Sequence, residues 1–362
     1  MKRIFLPAGG AILATGLLAA GLSGTAQAAR DIASDPMATS TRDASSIASF
    51  WWKSNGAALR QASAYYWDSS EVKKLVSKGG YTPDGKPGMV APTSNSVSTG
   101  TAQNINIPRT IGKVFFLDAS GRPRWCTATS IQGNYRNLVA TAGHCVYDTD
   151  GNADTMSKWV FVPGYYQGKA PFGIYVGKQA FTHYDFDVYE DYDRDYAFVT
   201  VYNGIKFDGS KPEDAGRLGD NVGGQGFAYN QPTGKIVRTF GYPYAPHPDG
   251  SKPYTGVTPK HCYGATSAKT VGSAEKKIEE HVALKCPVTP GYDGGPWLLN
   301  YSNGKRLGYV NGVTSTFADQ DGNDRVDYIS SPYFDGETAA VYNAAKNMAS
   351  GRIVGPNGEL LR

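Results

Sequence analysis

Pro290-Gly291-Tyr292-Asp293-Gly294-Gly295-Pro296-Trp297 is the stretch around which the rest of this chain is organised. An acid stands in it among three glycines. Two shorter stretches upstream carry the other groups of interest: Thr141-Ala142-Gly143-His144-Cys145 and Asp195-Tyr196-Ala197. In chain order they present a histidine, an aspartate, and then the acid of the glycine-rich loop.

Around these stretches the chain has the marks of an exported protein. Lys2 and Arg3 precede an apolar run from Ile4 to Leu22, and Ala26-Gln27-Ala28 supplies a small-x-small cleavage pattern. Residues 1–28 are therefore expected to be a signal peptide, and the product to be secreted and extracellular. No long apolar run follows, so no membrane association is expected after cleavage. Of the 362 residues, 44 are glycine, 24 are tyrosine and 19% are charged, which suits a strand-rich globular protein. The net charge of +4 is small and scattered, which argues against nucleic acid as a partner. The four cysteines are expected to pair once exported; on count alone three connectivities are open.

Residues 29–109 read as a pro-segment and linker. Ser45 to Val76 is a candidate helical region, with Ser69-Ser70-Glu71 as a helix start. The Gly, Pro, Ser, Thr and Asn of 79–108 read as a tether. From Ile111 the pattern changes to short strands separated by turn residues. The apolar runs are 113–117, 138–141, 158–162, 197–201, 235–237 and 308–310. A final helix is expected with Asp335 as its cap, Val341, Tyr342, Ala345 and Met348 on one face, and Gly351 as its stop.

The three motifs together resemble those of the trypsin-like (chymotrypsin-fold) serine peptidases, in the family's order of base, acid and nucleophile. Gly-Tyr-Pro at 241–243 and Gly-Gly-Pro-Trp at 294–297 resemble the bacterial glutamyl endopeptidases. The resemblance implies an all-β fold of two six-stranded antiparallel barrels and a C-terminal helix, with 110–362 as the peptidase domain. It implies His144 as general base, Asp195 as the acid that orients it, and the N–H groups of Gly291 and Asp293 as the oxyanion hole. Ser315 matches the serine that supports the acid. Cys126 would pair with Cys145 and Cys262 with Cys286. An extended peptide or protein in the inter-barrel cleft is the implied partner, and a monomer is expected.

One letter departs from the family: the nucleophile position is Asp293 rather than serine. A carboxylate attacks an amide poorly, because the product would be an anhydride more reactive than the peptide. It also places a negative charge where an oxyanion must form. His144 between two carboxylates is expected to be an imidazolium at neutral pH, unable to accept a proton. The chain is therefore expected to be a catalytically silent, peptide-binding pseudopeptidase. An active serine-type endopeptidase with an unconventional nucleophile is the alternative, in which Thr289 or Tyr292 would supply the hydroxyl. The Gly-x-nucleophile-x-Gly elbow of α/β-hydrolases also fits 291–295, but that fold places its histidine after the nucleophile, and the last histidine here is His281.

Specificity is not legible. Pro287 stands where trypsin-type enzymes keep a pocket acid, and Thr314 where glutamyl endopeptidases keep a histidine. Arg109-Thr110-Ile111-Gly112 resembles a zymogen cleavage site, yet Tyr292 offers a freed amino terminus no acid. No cofactor and no metal are assigned. Oxygen-rich runs at 148–154 and 319–324 are at most candidate calcium loops, and lack full EF-hand spacing.

Overall fold

The computed structural model describes residues 31–66, 71–79, 83–94, 107–149, 154–208 and 211–361. The expected signal peptide at 1–28, Ser69 and Ser70, and most of the first candidate calcium loop lie outside them. Among the described residues no helix is long and apolar enough to cross a membrane.

The expected all-β class is observed. Six antiparallel strands close a barrel in the order Ile111–Leu117, Pro123–Ile131, Leu138–Thr141, Ala197–Val201, Tyr175–His183 and Ser157–Pro163, the last pairing back to the first. These strands are rich in Val, Ile, Phe and Thr, and Phe115, Val160, Val176 and Phe198 on them are fully buried. Close approach sets one position: a Cβ on Gly112 would stand 2.2 Å from the Val162 carbonyl oxygen.

The second half is a half-barrel built from two sheets. One runs Lys260–Ala265, Ile236–Gly241, Pro296–Ser302, Leu307–Val313 and Gly226–Tyr229; the other runs Thr316–Ala318, Tyr328–Pro332, Ile278–Lys285 and Thr270–Ser273. The ladder breaks at Thr314-Ser315, where the chain changes sheets. Thr314 N–H donates to the Gly295 carbonyl on one side, and Ser315 N–H to the Ser330 carbonyl on the other. That corner places Ser315 between the two halves.

The C-terminal helix, Gly336–Ala345, begins with Asp335 in a capping box with Thr338. Its Tyr342 stacks on Phe227 with ring centres 4.1 Å apart, and Phe198 meets Tyr342 edge-on, so the helix joins both halves. It ends at Ala345, short of the expected stop at Gly351, in a tighter turn in which Met348 N–H donates to the Ala345 carbonyl.

The N-terminal expectations need correction. The helix spans Thr41–Gln61, is capped by Ser40 and breaks at Lys53–Gly56. It does not run through Ser45 to Val76, and Glu71 does not start one: Ser63–Ala64, Glu71–Val72 and Val76–Gly79 are strands. Tertiary pairing overrides local propensity there. The 79–108 stretch, read as a tether, contributes the strand Gly88–Val90 beside Gly226–Tyr229. Ile32–Pro36 adds antiparallel to Tyr175–His183. Trp51, fully buried, donates its indole N–H to the Lys158 carbonyl and packs on Phe115. Trp51→Ala is expected to cost about 3–5 kcal/mol, the usual range for truncating a buried Trp, read as a lower urea midpoint.

Candidate active site

His144 lies in the short 3₁₀ turn Gly143–Cys145, directly after a barrel strand. The turn is anchored by the Cys126–Cys145 disulfide, one of the two expected pairs; Cys262–Cys286 is the other. Ala197 pairs with Thr141 across the ladder, which carries Asp195 to the histidine. Asp195 is wholly buried and takes three bonds. The His144 backbone N–H reaches its Oδ1 at 2.8 Å, the His144 Nδ1 its Oδ2 at 2.8 Å, and the Ser315 Oγ the same Oδ2 at 2.6 Å.

Other acids close to Asp195 in the sequence have different occupations. Asp191 caps the turn Tyr192–Arg194 and pairs with Arg194. Asp193 accepts the Glu279 and Glu280 N–H groups, and Asp185 lies near His183.

The glycine-rich loop is fixed by its backbone. Gly291 and Gly294 have φ of +100° and +74°, where a Cβ is penalised. Thr127 N–H donates to the Asp293 carbonyl and Thr127 Oγ1 to the Gly291 carbonyl, while Gly294 N–H bonds the Thr314 carbonyl. This brings the Asp293 carboxylate, itself 0% exposed, to His144: Oδ1 stands 3.3 Å from Nε2. The other oxygen, Oδ2, accepts the Gly291 N–H at 2.6 Å. The side chain thus engages both the imidazole and one of the two N–H groups expected to form the oxyanion hole.

Burial works against a charge on His144, but the attraction and hydrogen bonds of Asp195 and Asp293 outweigh it and raise the imidazole from 6.5 to about 10. A raised folded-state value stabilises the fold fully below the unfolded value near 6.5, and that contribution is lost as pH rises through about 10. The urea midpoint of the wild-type chain is expected to fall between about pH 7 and 10. The fall should be shallower in Asp293→Ser, which keeps only one of the two carboxylates.

Neither alternative nucleophile stands ready. The Tyr292 hydroxyl is bound to Thr239 Oγ1 at 2.8 Å, and Thr289 is wholly buried. Thr110 is buried too and accepts the Ser130 N–H on its carbonyl, so the zymogen-like motif runs directly into the first barrel strand, Ile111–Leu117. Asp319 closes its own turn by accepting the N–H groups of Gly322, Asn323 and Asp324. Cys126, His144 and Cys145 cluster, but the disulfide occupies both sulfurs, which leaves no thiolate for a metal.

Several neighbours gave no sequence signal. Tyr192 stacks near the imidazole with ring centres 6.1 Å apart, and Tyr65 approaches it at 6.4 Å. His281 is fully buried behind the acid and bonds the Tyr192 carbonyl and Ser330 Oγ. Lys113 lies under the loop with its Nζ 3.2 Å from the Trp125 ring centre, and burial holds its amine well below the usual lysine range. In the sequence each is one aromatic or basic residue among many.

No family model and no curated protein matches this chain. Solved structures do. The protease Anisep from Arthrobacter nicotinovorans is 25% identical, with a TM-score of 0.55 over 71% of this chain and 100% of its own. The thermostable serine protease AL20 from an extremophilic microorganism is 26% identical, with a TM-score of 0.55 over 68% of this chain and 100% of its own. The structural neighbours of this chain are chymotrypsin-fold serine proteases, and its fold is theirs.

Proposed function

We propose that this chain is a secreted, catalytically silent relative of the trypsin-like serine peptidases, near the glutamyl endopeptidases, that binds extended peptide without cleaving it. One observation carries the proposal: the Asp293 carboxylate bonds His144 Nε2 through one oxygen and the Gly291 N–H through the other. Catalysis by this geometry needs a neutral imidazole to take a proton and free N–H groups to receive the oxyanion. Asp293 opposes both, since it holds the imidazolium and supplies its own anion. His144, Asp195, Ser315 and the Gly291–Asp293 loop are then inherited parts of a machine that lacks its nucleophile. The two disulfides and the likeness to proteases support export, with residues 1–28 as the signal peptide.

The alternative, an active endopeptidase with an unconventional nucleophile, rests on the intact His144–Asp195–Ser315 chain. Fluorophosphonate labelling of wild type and Asp293→Ser decides between them. Labelling of the serine chain alone supports silence, and turnover of any peptide by wild type overturns it.

A further inference from the structure

The strand edges on either side of the His144–Asp293 pair are already taken, by the chain itself. Ser63–Ala64 lies parallel to Arg124–Trp125, with Ser63 opposite Arg124 and Ala64 opposite Trp125. Tyr65 N–H then donates to the Trp125 carbonyl at 2.8 Å, Trp125 Nε1 to the Ala62 carbonyl at 3.2 Å, and Arg124 Nη1 to Ser63 Oγ at 2.6 Å. This edge adjoins the loop, since Thr127, two residues on, bonds the Asp293 carbonyl.

On the other side Glu71–Val72 lies parallel to Phe317–Ala318. Leu75 N–H donates to Gln320 Oε1 at 2.9 Å, and Gln320 Nε2 donates to the Leu75 carbonyl at 2.9 Å. Phe317 is two residues beyond Ser315, which bonds Asp195. Tyr65, Val72 and Leu75 are 9%, 3% and 6% exposed, so the docking is packed as well as hydrogen-bonded.

An exposed strand edge is a template for an added strand, with backbone bonds giving affinity and side-chain pockets giving specificity. Two such edges flanking one site form a surface for an extended peptide. We infer that residues 62–66 and 71–79 are the resident occupant of this cleft. Its outside partner is an extended peptide that replaces them, pairing with Arg124–Trp125 and Phe317–Ala318. The inference rests on the peptide-binding function proposed above and names that peptide's competitor.

The resident is built to be displaced. The two pairings along the site are each two residues long and parallel, which is the weaker ladder, whereas an incoming antiparallel peptide would form the stronger one; Val76–Gly79 pairs antiparallel with Thr270–Ser273 and tethers the far end of the segment. Tethering compensates, because a short linker gives the resident an effective concentration of order millimolar. An external peptide must exceed that, or the resident must first be loosened.

The test uses the full chain and a fluorescein-labelled synthetic peptide with the sequence of residues 60–79. Tyr65→Asp with Val72→Asp puts charges where the resident is buried and should loosen it. By fluorescence anisotropy the peptide is expected to bind this double variant at least ten-fold more tightly than wild type. Equal binding to both, or binding to neither, overturns the inference. Should the double variant not fold, hydrogen exchange on wild type decides the same point. The Tyr65 and Leu75 amides should open together below the barrel's opening energy, and exchange only with global unfolding overturns the inference. Mass spectrometry of the probe separates the two proposals: a cleaved peptide removes silence and leaves occupancy standing, and an intact peptide that binds both chains equally removes occupancy alone.

Discussion

Asp293→Ser is expected to create fluorophosphonate labelling at residue 293 that the wild-type chain lacks. The change removes the carboxylate that bonds His144 Nε2 and Gly291 N–H, and puts a hydroxyl beside an imidazole whose other nitrogen is already held by Asp195. With one of its two anionic partners gone, His144 should titrate below its present value of about 10. NMR titration of its ring protons in both chains would measure the difference. Removing the nucleophile from a comparable triad costs about 10⁶ in turnover, so the serine chain should exceed wild type by at least ~10⁴-fold on a small activated ester. Casein is a harder substrate, since it needs both strand edges. Its cleavage should require Tyr65→Asp and Val72→Asp as well. A serine chain that neither labels nor turns over the ester would mean that the oxyanion loop, and not Asp293 alone, has lost its catalytic shape.

Gly294→Ala is expected to be the most destabilising single methyl addition in the loop. Gly294 has φ of +74°, and a Cβ built on it would stand 2.0 Å from Thr141 Oγ1 and 2.3 Å from the Thr127 carbonyl oxygen. Both neighbours belong to barrel strands that hold His144 and the loop, so neither can retreat without shifting the site. Left-handed strain of about 1–2 kcal/mol and overpacking of about 1–3 kcal/mol together predict a loss of roughly 2–5 kcal/mol. The urea midpoint should drop with an unchanged m-value. A loss under about 1 kcal/mol would mean that the loop relaxes freely. Gly304→Ala, where a Cβ meets nothing within 4 Å, is the control.

These two residues also show how far the sequence reaches. The glycines around Asp293, the turn at His144 and the run after Asp195 are local devices: each encodes a backbone conformation that few residue types tolerate. Such constraints survive in the letters, and the family resemblance they carry implied the site's members and the two cystine pairs. The His144 charge followed as well, from the identity of its two neighbours. The N-terminal third did not. The apolar residues of Ser45 to Val76 read as one helical region, whereas the helix runs from Thr41 to Gln61. Beyond Gln61 the chain forms the strands Ser63–Ala64 and Glu71–Val72 instead, each two residues long, with no period to detect.

By itself, then, the sequence determined the all-β class and the motifs whose family resemblance implies the barrels and which side chains meet, because close backbone packing demands particular residues at particular points. Only the tertiary structure decided that the second Asp293 oxygen takes the Gly291 N–H, and that Ser63–Ala64 and Glu71–Val72 lie along the edges of the site. Those arrangements depend on main-chain N–H and C=O groups, which every residue but proline carries alike and which therefore leave no mark in a sequence.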